Sequence, residues 1–202
     1  QVLKLFAGLI AQSIQKESLV TQLREANAAL IAHSYTDALT GLPNRRAIFE
    51  DLTTLFSLAR HLKRNAIIAF IDLDDFKLIN DRYGHEAGDQ FLIEVGKRLT
   101  EEKQQDDIIG RLGGDEFLVA SLSQPHQDGD NAQLTLLKTR LSACIAGEYW
   151  LGSVHIIYPG ASFGVIEVDP AATDPDSALR AADVAMYQDK KGKSKTRFLT
   201  MD

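Results

Sequence analysis

Apolar residues recur along the chain at two spacings, and breaker-rich joints separate the runs. Residues 2–34 contain no Pro and one Gly and are rich in Leu, Ala, Gln and Glu, which predicts one long helix ahead of the main domain. Leu9, Lys16, Leu23 and Leu30 stand seven apart, with Ser13, Val20 and Asn27 four residues after the first three. This heptad seam with polar interruptions fits a dimeric coiled coil and equally a helix packed on its own domain.

"DALTGLPNRR" (37–46) carries the breakers Gly41, Pro43 and Asn44 and opens a helix to about Leu62. "AIIAFIDL" is a continuous apolar run that suits a strand buried on both faces and ends in carboxylates. "DDFKLINDRYGHEAGD" reads as a loop, followed by a helix at about 88–104 with Phe91, Leu92, Val95 and Leu99 on one face. Strands at about 107–112 and 115–121 follow, joined at Gly113-Gly114 by a two-residue hairpin turn. "SQPHQDGDNA" is a surface loop, 132–147 a helix, and "VHIIYPGASFGVIEV" two strands around Pro159-Gly160. A last helix spans about 176–190, and "TRFL" reads as an edge strand. This order predicts an α/β (α+β) layered fold: a mostly antiparallel central sheet flanked by helices, after a long N-terminal signalling helix. The domains are 1–34, the linker helix, and 35–202, the globular unit.

Composition narrows the function classes. A chain of 202 residues, 45% hydrophobic and 25% charged, has the makings of one sizeable core. Its net charge of -6 repels polyanions, which argues against nucleic acid or an anionic membrane as the main partner. A small phosphorylated ligand is still allowed, because a few local cations can outweigh the global field. The single Cys144 excludes an internal disulfide framework and fits a reducing compartment, so the cytoplasm is expected. No apolar run reads as a membrane span or signal peptide. The start without Met suggests a fragment of something longer, with an upstream module.

The chemistry concentrates in "RLGGDEF", where two glycines precede Asp115 and Glu116. Gly113 and Gly114 can adopt positive φ and let a ligand lie against the backbone. Asp72 closes the buried strand, where an unpaired charge would be costly. If the two strands are neighbours, Asp72, Asp115 and Glu116 offer the hard oxygens that Mg²⁺ takes beside substrate phosphates. A turn displaying solvated acids would carry the same GGDE.

These residues resemble the GGDEF family of diguanylate cyclases. The resemblance spans about Tyr35 to Phe198 and rests on "DALTGLPNR", "DLDDFKLINDRYGHEAGD", "RLGGDEF" and "AADVAMYQDKKGK", in the family's order. It implies a ferredoxin-like, cyclase-palm fold, and condensation of two GTP into cyclic di-GMP and two pyrophosphates in a homodimer. It further implies a divalent metal, Mg²⁺ or Mn²⁺, two per active site. By the same resemblance Asp72, the Leu73 carbonyl, Asp115 and Glu116 are metal ligands, and Asp115 accepts the proton of the GTP 3′-OH. Lys77 would steady the phosphates, although a solvated loop lysine fits as well. Asn80 and Asp89 would bind guanine, whose N1–H and N2–H₂ donors suit one carboxylate. His85 would touch substrate or serve structure. Lys190 or Lys193 would meet the γ-phosphate, the spacing of that motif being one residue short. The family's product-inhibition Arg-x-x-Asp has Gln104 in place of its arginine, with Asp107 retained. A sensor such as a GAF domain often precedes this kind of helix. A catalytically silent GTP-binding signalling domain and a plain interaction domain are the rival readings.

Overall fold

A computed structural model describes residues 15–17, 19, 20, 35–104, 106–124 and 132–193. The chain divides into two units, residues 1–36 and 37–202. Of the first, residues 15–17, 19, 20 and 35 are helical, and the heptad reading over 2–34 otherwise lies outside the described residues, as does the expected strand "TRFL". Among the described residues no helix is long and apolar enough to cross a membrane.

The second unit runs α1 (Arg45–Leu62), β1 (Ala66–Leu73), α2 (Phe76–Tyr83), α3 (His85–Glu101), β2 (Ile108–Gly113), β3 (Glu116–Leu122), α4 (Ala132–Ile145), β4 (Gly147–Leu151), β5 (Val154–Tyr158), β6 (Ala161–Val168) and α5 (Pro175–Gly192). The four-stranded sheet has the order β2-β3-β1-β6, and every neighbouring pair is antiparallel. β1 is therefore an inner strand, and all eight of its residues are buried. Its alternate residues face two cores. Ile67, Ala69, Ile71 and Leu73 pack with α3, α4 and the β4–β5 hairpin, whereas Ala66, Ile68 and Phe70 pack with α1 and α5. A continuous apolar strand thus arises here in an antiparallel sheet, because helices cover both faces.

Two expectations need correction. The stretch from Asp74 to Asp89 is mostly helix, since α2 begins at Phe76 and α3 at His85. Its polar sequence reads as loop because α2 is short and buries only Ile79. Asp75, at φ 57°, admits the chain to α2, and Gly84, at φ 86°, separates the two helices. The other correction concerns 147–151. α4 stops at Ile145, and "GEYWL" forms β4, pairing with β5 in a separate two-stranded sheet. The strands on either side of Pro159-Gly160 therefore belong to different sheets.

The hairpin is joined to the first core by aromatic rings. Phe91 of α3 meets Tyr149 and Tyr158 edge-on, each at 4.7 Å between centroids, a geometry favoured by the ring quadrupoles. Gly164 on β6 lets α5 come close: a Cβ there would stand 1.9 Å from the Ala182 carbonyl oxygen. That close approach brings the last turn of α5 to the end of β1.

Candidate active site

The signature turn lies one residue later than its glycines suggest. Gly113 ends β2 and pairs with Glu116, so the two turn residues are Gly114 and Asp115. Gly113 and Gly114 both have positive φ, 142° and 54°. The β2–β3 register slips between Arg111 and Gly113. Because Asp115 sits in the turn, the strict alternation of a strand does not govern where it and Glu116 point.

Arg111 holds the turn. Its Nε and Nη2 donate to the Gly114 carbonyl at 3.0 and 2.7 Å, and its Nη1 reaches Asp37 at 2.8 Å. Asp37 also accepts from the Thr40 amide and hydroxyl, at 2.9 and 2.7 Å. Burial alone would raise the Asp37 pKa, but the hydrogen bonds from Thr40 and Arg111 outweigh it and hold the carboxyl below its ordinary range. The forked, buried guanidinium ties the first motif, "DALTGLPNR", to the third. Sequence reading gave neither Asp37 nor Arg111 a role; the signal available was an arginine two residues before the glycines.

The carboxylates share one end of the sheet. Asp72 and Glu116 are cross-strand partners, and the Leu73 amide donates to the Asp115 carbonyl at 3.2 Å. Burial and the charge of Asp72 raise the Asp115 pKa. Glu116 is raised by burial and by the charges of Asp115, Asp72 and Asp183. Asp72 is 8% exposed, and its Oδ1 accepts from Lys190 Nζ at 2.6 Å. Burial disfavours the Lys190 ammonium, yet the hydrogen bond and charge of Asp72 raise its pKa overall. Among the described residues no three carboxylate, imidazole or thiol groups form a ready-made metal cage. The donor set nevertheless suits a hard divalent cation: oxygen ligands only, two carboxyls whose charged forms are disfavoured, and a third balanced by an ammonium that can be exchanged.

Lys193 meets the adjoining loop. Its Nζ lies 3.0 Å from Asp74 Oδ2 and donates to the Ala161 carbonyl. Asp74 Oδ1 accepts from Ser162 at 2.6 Å, and its carbonyl accepts from Tyr158 at 3.0 Å. Asp189 anchors the same helical turn, accepting from Lys138 at 2.6 Å and from the Phe163 amide at 3.0 Å. Ser162 and Asp189 were not legible as site residues, because nothing in their spacing links them to "DLDD".

The remaining candidates lie on α2 and α3. Lys77, His85 and Asp89 are exposed, and Asn80 is half-buried against Gly88, where a Cβ would stand 1.9 Å from Asn80 Oδ1. Gly88 therefore makes room for the Asn80 amide.

Gln104 belongs to a different place, a cleft of about 710 Å³ lined by Arg64, Gln104, Asp106, Asp107 and Arg140 among others. There Asp107 accepts from the Gln104 amide at 3.0 Å and from Arg140 Nη2 at 3.2 Å.

Comparison with known proteins gives concordant findings. The family profile described as "Diguanylate cyclase, GGDEF domain" matches residues 34–196. The chain is 67% identical over 199 residues to Diguanylate cyclase DgcP of Escherichia coli (strain K12), covering 98% of this chain and 57% of that protein. It is 34% identical over 174 residues to Cyclic di-GMP phosphodiesterase PdeR of the same strain, covering 86% of this chain and 25% of that protein. The crystal structure of the coiled coil and GGDEF domain of DgcB from Caulobacter crescentus, in complex with c-di-GMP, superposes with a TM-score of 0.77 at 25% identity, covering 93% of this chain and 96% of that one.

Proposed function

Because the chain belongs to the GGDEF family of diguanylate cyclases, we propose that it joins two molecules of GTP into cyclic di-GMP. In each of two steps the 3′-oxygen of one GTP attacks the α-phosphorus of the other. The bond to the β-phosphate breaks and pyrophosphate leaves, so the ring closes with two pyrophosphates released. The observation that carries this reading is the gathering of Asp72, Asp115 and Glu116 at one sheet end, with Lys190 beside them.

A divalent cation, Mg²⁺ or Mn²⁺, held by Asp72, the Leu73 carbonyl, Asp115 and Glu116, would neutralise triphosphate charge; two ions per site is our reading. Asp115 takes the 3′-OH proton, being the carboxylate carried in the turn at the end of the sheet, next to Asp72 and Glu116. Lys77 and Lys190 face the phosphates as point charges, with Lys193 the alternative to Lys190; both lie at the end of α5, which meets Asp72 and Asp74. Asp89 and Asn80 read the guanine edge and exclude adenine, which lacks the paired donors; His85 borders the base.

Each protomer of a homodimer holds one GTP, and closing the ring needs both. The chain spans 57% of the length of DgcP; an upstream module, a GAF-like sensor connected through residues 1–34, is our reading. GTP and Mg²⁺ supply place the reaction in the cytoplasm. With Gln104 offering an amide in place of a guanidinium fork, feedback by product is weak. Tight binding of cyclic di-GMP at more than one per active site would contradict that.

The deciding experiment incubates the purified chain, at several concentrations, with GTP and Mg²⁺ and follows cyclic di-GMP by chromatography. Product that rises faster than linearly with protein and vanishes in Asp115→Ala supports a dimer-dependent cyclase. GTP binding without product would instead favour a silent signalling domain, a reading kept alive by the phosphodiesterase relative PdeR.

A further inference from the structure

We propose that in the nucleotide-free protein the Lys190 ammonium occupies the cation's place at Asp72, so that metal and nucleotide bind together rather than independently. This rests on the metal-dependent reading above.

Asp72 ends a strand buried along its whole length, and its cross-strand partner is itself an acid, Glu116. A carboxylate in that position needs a cation, because burying an unpaired charge is costly. In this structure the cation is Lys190, at 2.6 Å. The ammonium reaches Asp72 from the last turn of α5, and that turn is fixed independently: Asp189 binds Lys138 and the Phe163 amide, and Lys193 binds Asp74. The helix end therefore stays in place while the four-carbon Lys190 side chain, 44% exposed, is free to swing.

A divalent ion arriving alone must displace that ammonium and then lie beside an unpaired positive charge. A triphosphate arriving with the ion gives Lys190 a new anionic partner. The exchange then conserves pairing: Asp72 passes from ammonium to metal, and Lys190 from carboxylate to phosphate. Each ligand accordingly strengthens the other's binding, and the coupling is reciprocal. Lys190 thus acts as a positioning residue for the metal before it meets substrate.

The test is the binding of Mn²⁺ alone, without nucleotide, measured by electron paramagnetic resonance on the intact chain. Wild type should bind weakly, and Lys190→Met should bind about tenfold tighter or more, since a like charge has been removed from the site. Lys190→Arg, which keeps the charge, should return the affinity to the wild-type value. Asp72→Asn added to Lys190→Met should abolish the gain. The thermal melt of each variant checks that it folds, and the arginine and methionine variants bracket the effect should one be unstable. Equal Mn²⁺ affinity in wild type and Lys190→Met, or wild-type affinity indifferent to added GTP, overturns the proposal. The two readings fail separately. Unchanged Mn²⁺ affinity with product still formed removes the ammonium's role and leaves the cyclase standing. A tenfold gain in Lys190→Met, with no product formed by wild type, does the reverse.

Discussion

Two aspartates in this domain each lie buried against a cation, yet only one of them is in surplus. Asp107 is 6% exposed and accepts from Arg140 and from the Gln104 amide, so its charge is met by local structure. Asp72 is 8% exposed and meets Lys190, but Asp115 and Glu116 crowd the same end of the sheet. A balanced buried acid holds a fold together, whereas a group of acids with too few cations marks a place prepared for one more positive charge.

Substitution should separate the two. Asp72→Asn relieves crowding, so we expect the melting temperature to hold while synthesis of cyclic di-GMP falls by about 10²–10³-fold or more. Asp107→Ala leaves Arg140 partly buried without its partner and should cost about 2 kcal/mol in denaturant unfolding, with the initial rate per folded molecule little changed. If both variants lose activity and stability alike, the distinction collapses.

A smaller effect sharpens the contrast at the second cleft. Gln104→Arg places a second guanidinium beside Arg140 and Asp107, and should raise cyclic di-GMP affinity about tenfold by calorimetry, with inhibition following. No gain would mean that the missing arginine is not what weakens feedback.

The smallest effect concerns acid. Asp37 has a folded-state pKa below its unfolded value, so its stabilisation is present above the unfolded pKa, near 4, and is lost as pH falls through the folded pKa. The stability advantage of wild type over Asp37→Asn should therefore be full at pH 6 and shrink below about pH 4. An advantage constant with pH would mean that Asp37 acts through its shape alone.

The legible parts of the molecule were those whose signal is local. β1 was found at its true bounds, because eight apolar-bounded residues between polar joints admit few other readings. β4 was missed although Tyr149 and Leu151 alternate with exposed neighbours, a pattern too short to outweigh the helix before it. α2 was read as loop because one buried isoleucine gives no period. At the site, composition and motif order named the acids and lysines. They could not say that Asp72 and Glu116 face each other across two strands, that Arg111 fastens the turn to Asp37, or that Asp189 steadies the last turn of α5. Those are tertiary pairings between segments 44 to 74 residues apart or 26 to 51 apart, and no spacing rule reaches them.

The β4–β5 hairpin also carries an optical consequence. It holds the chain's one tryptophan, Trp150, 70% exposed and stacked on His155 at 4.1 Å. Indole emission thus reports on the small sheet, while far-ultraviolet dichroism reports mainly on the helices around the large one. The edge-on contacts of Phe91 with Tyr149 and Tyr158 join the two. Coincident melts by the two signals are therefore the expected outcome if the domain unfolds as one unit, and the tryptophan is the native fluorophore that tests it.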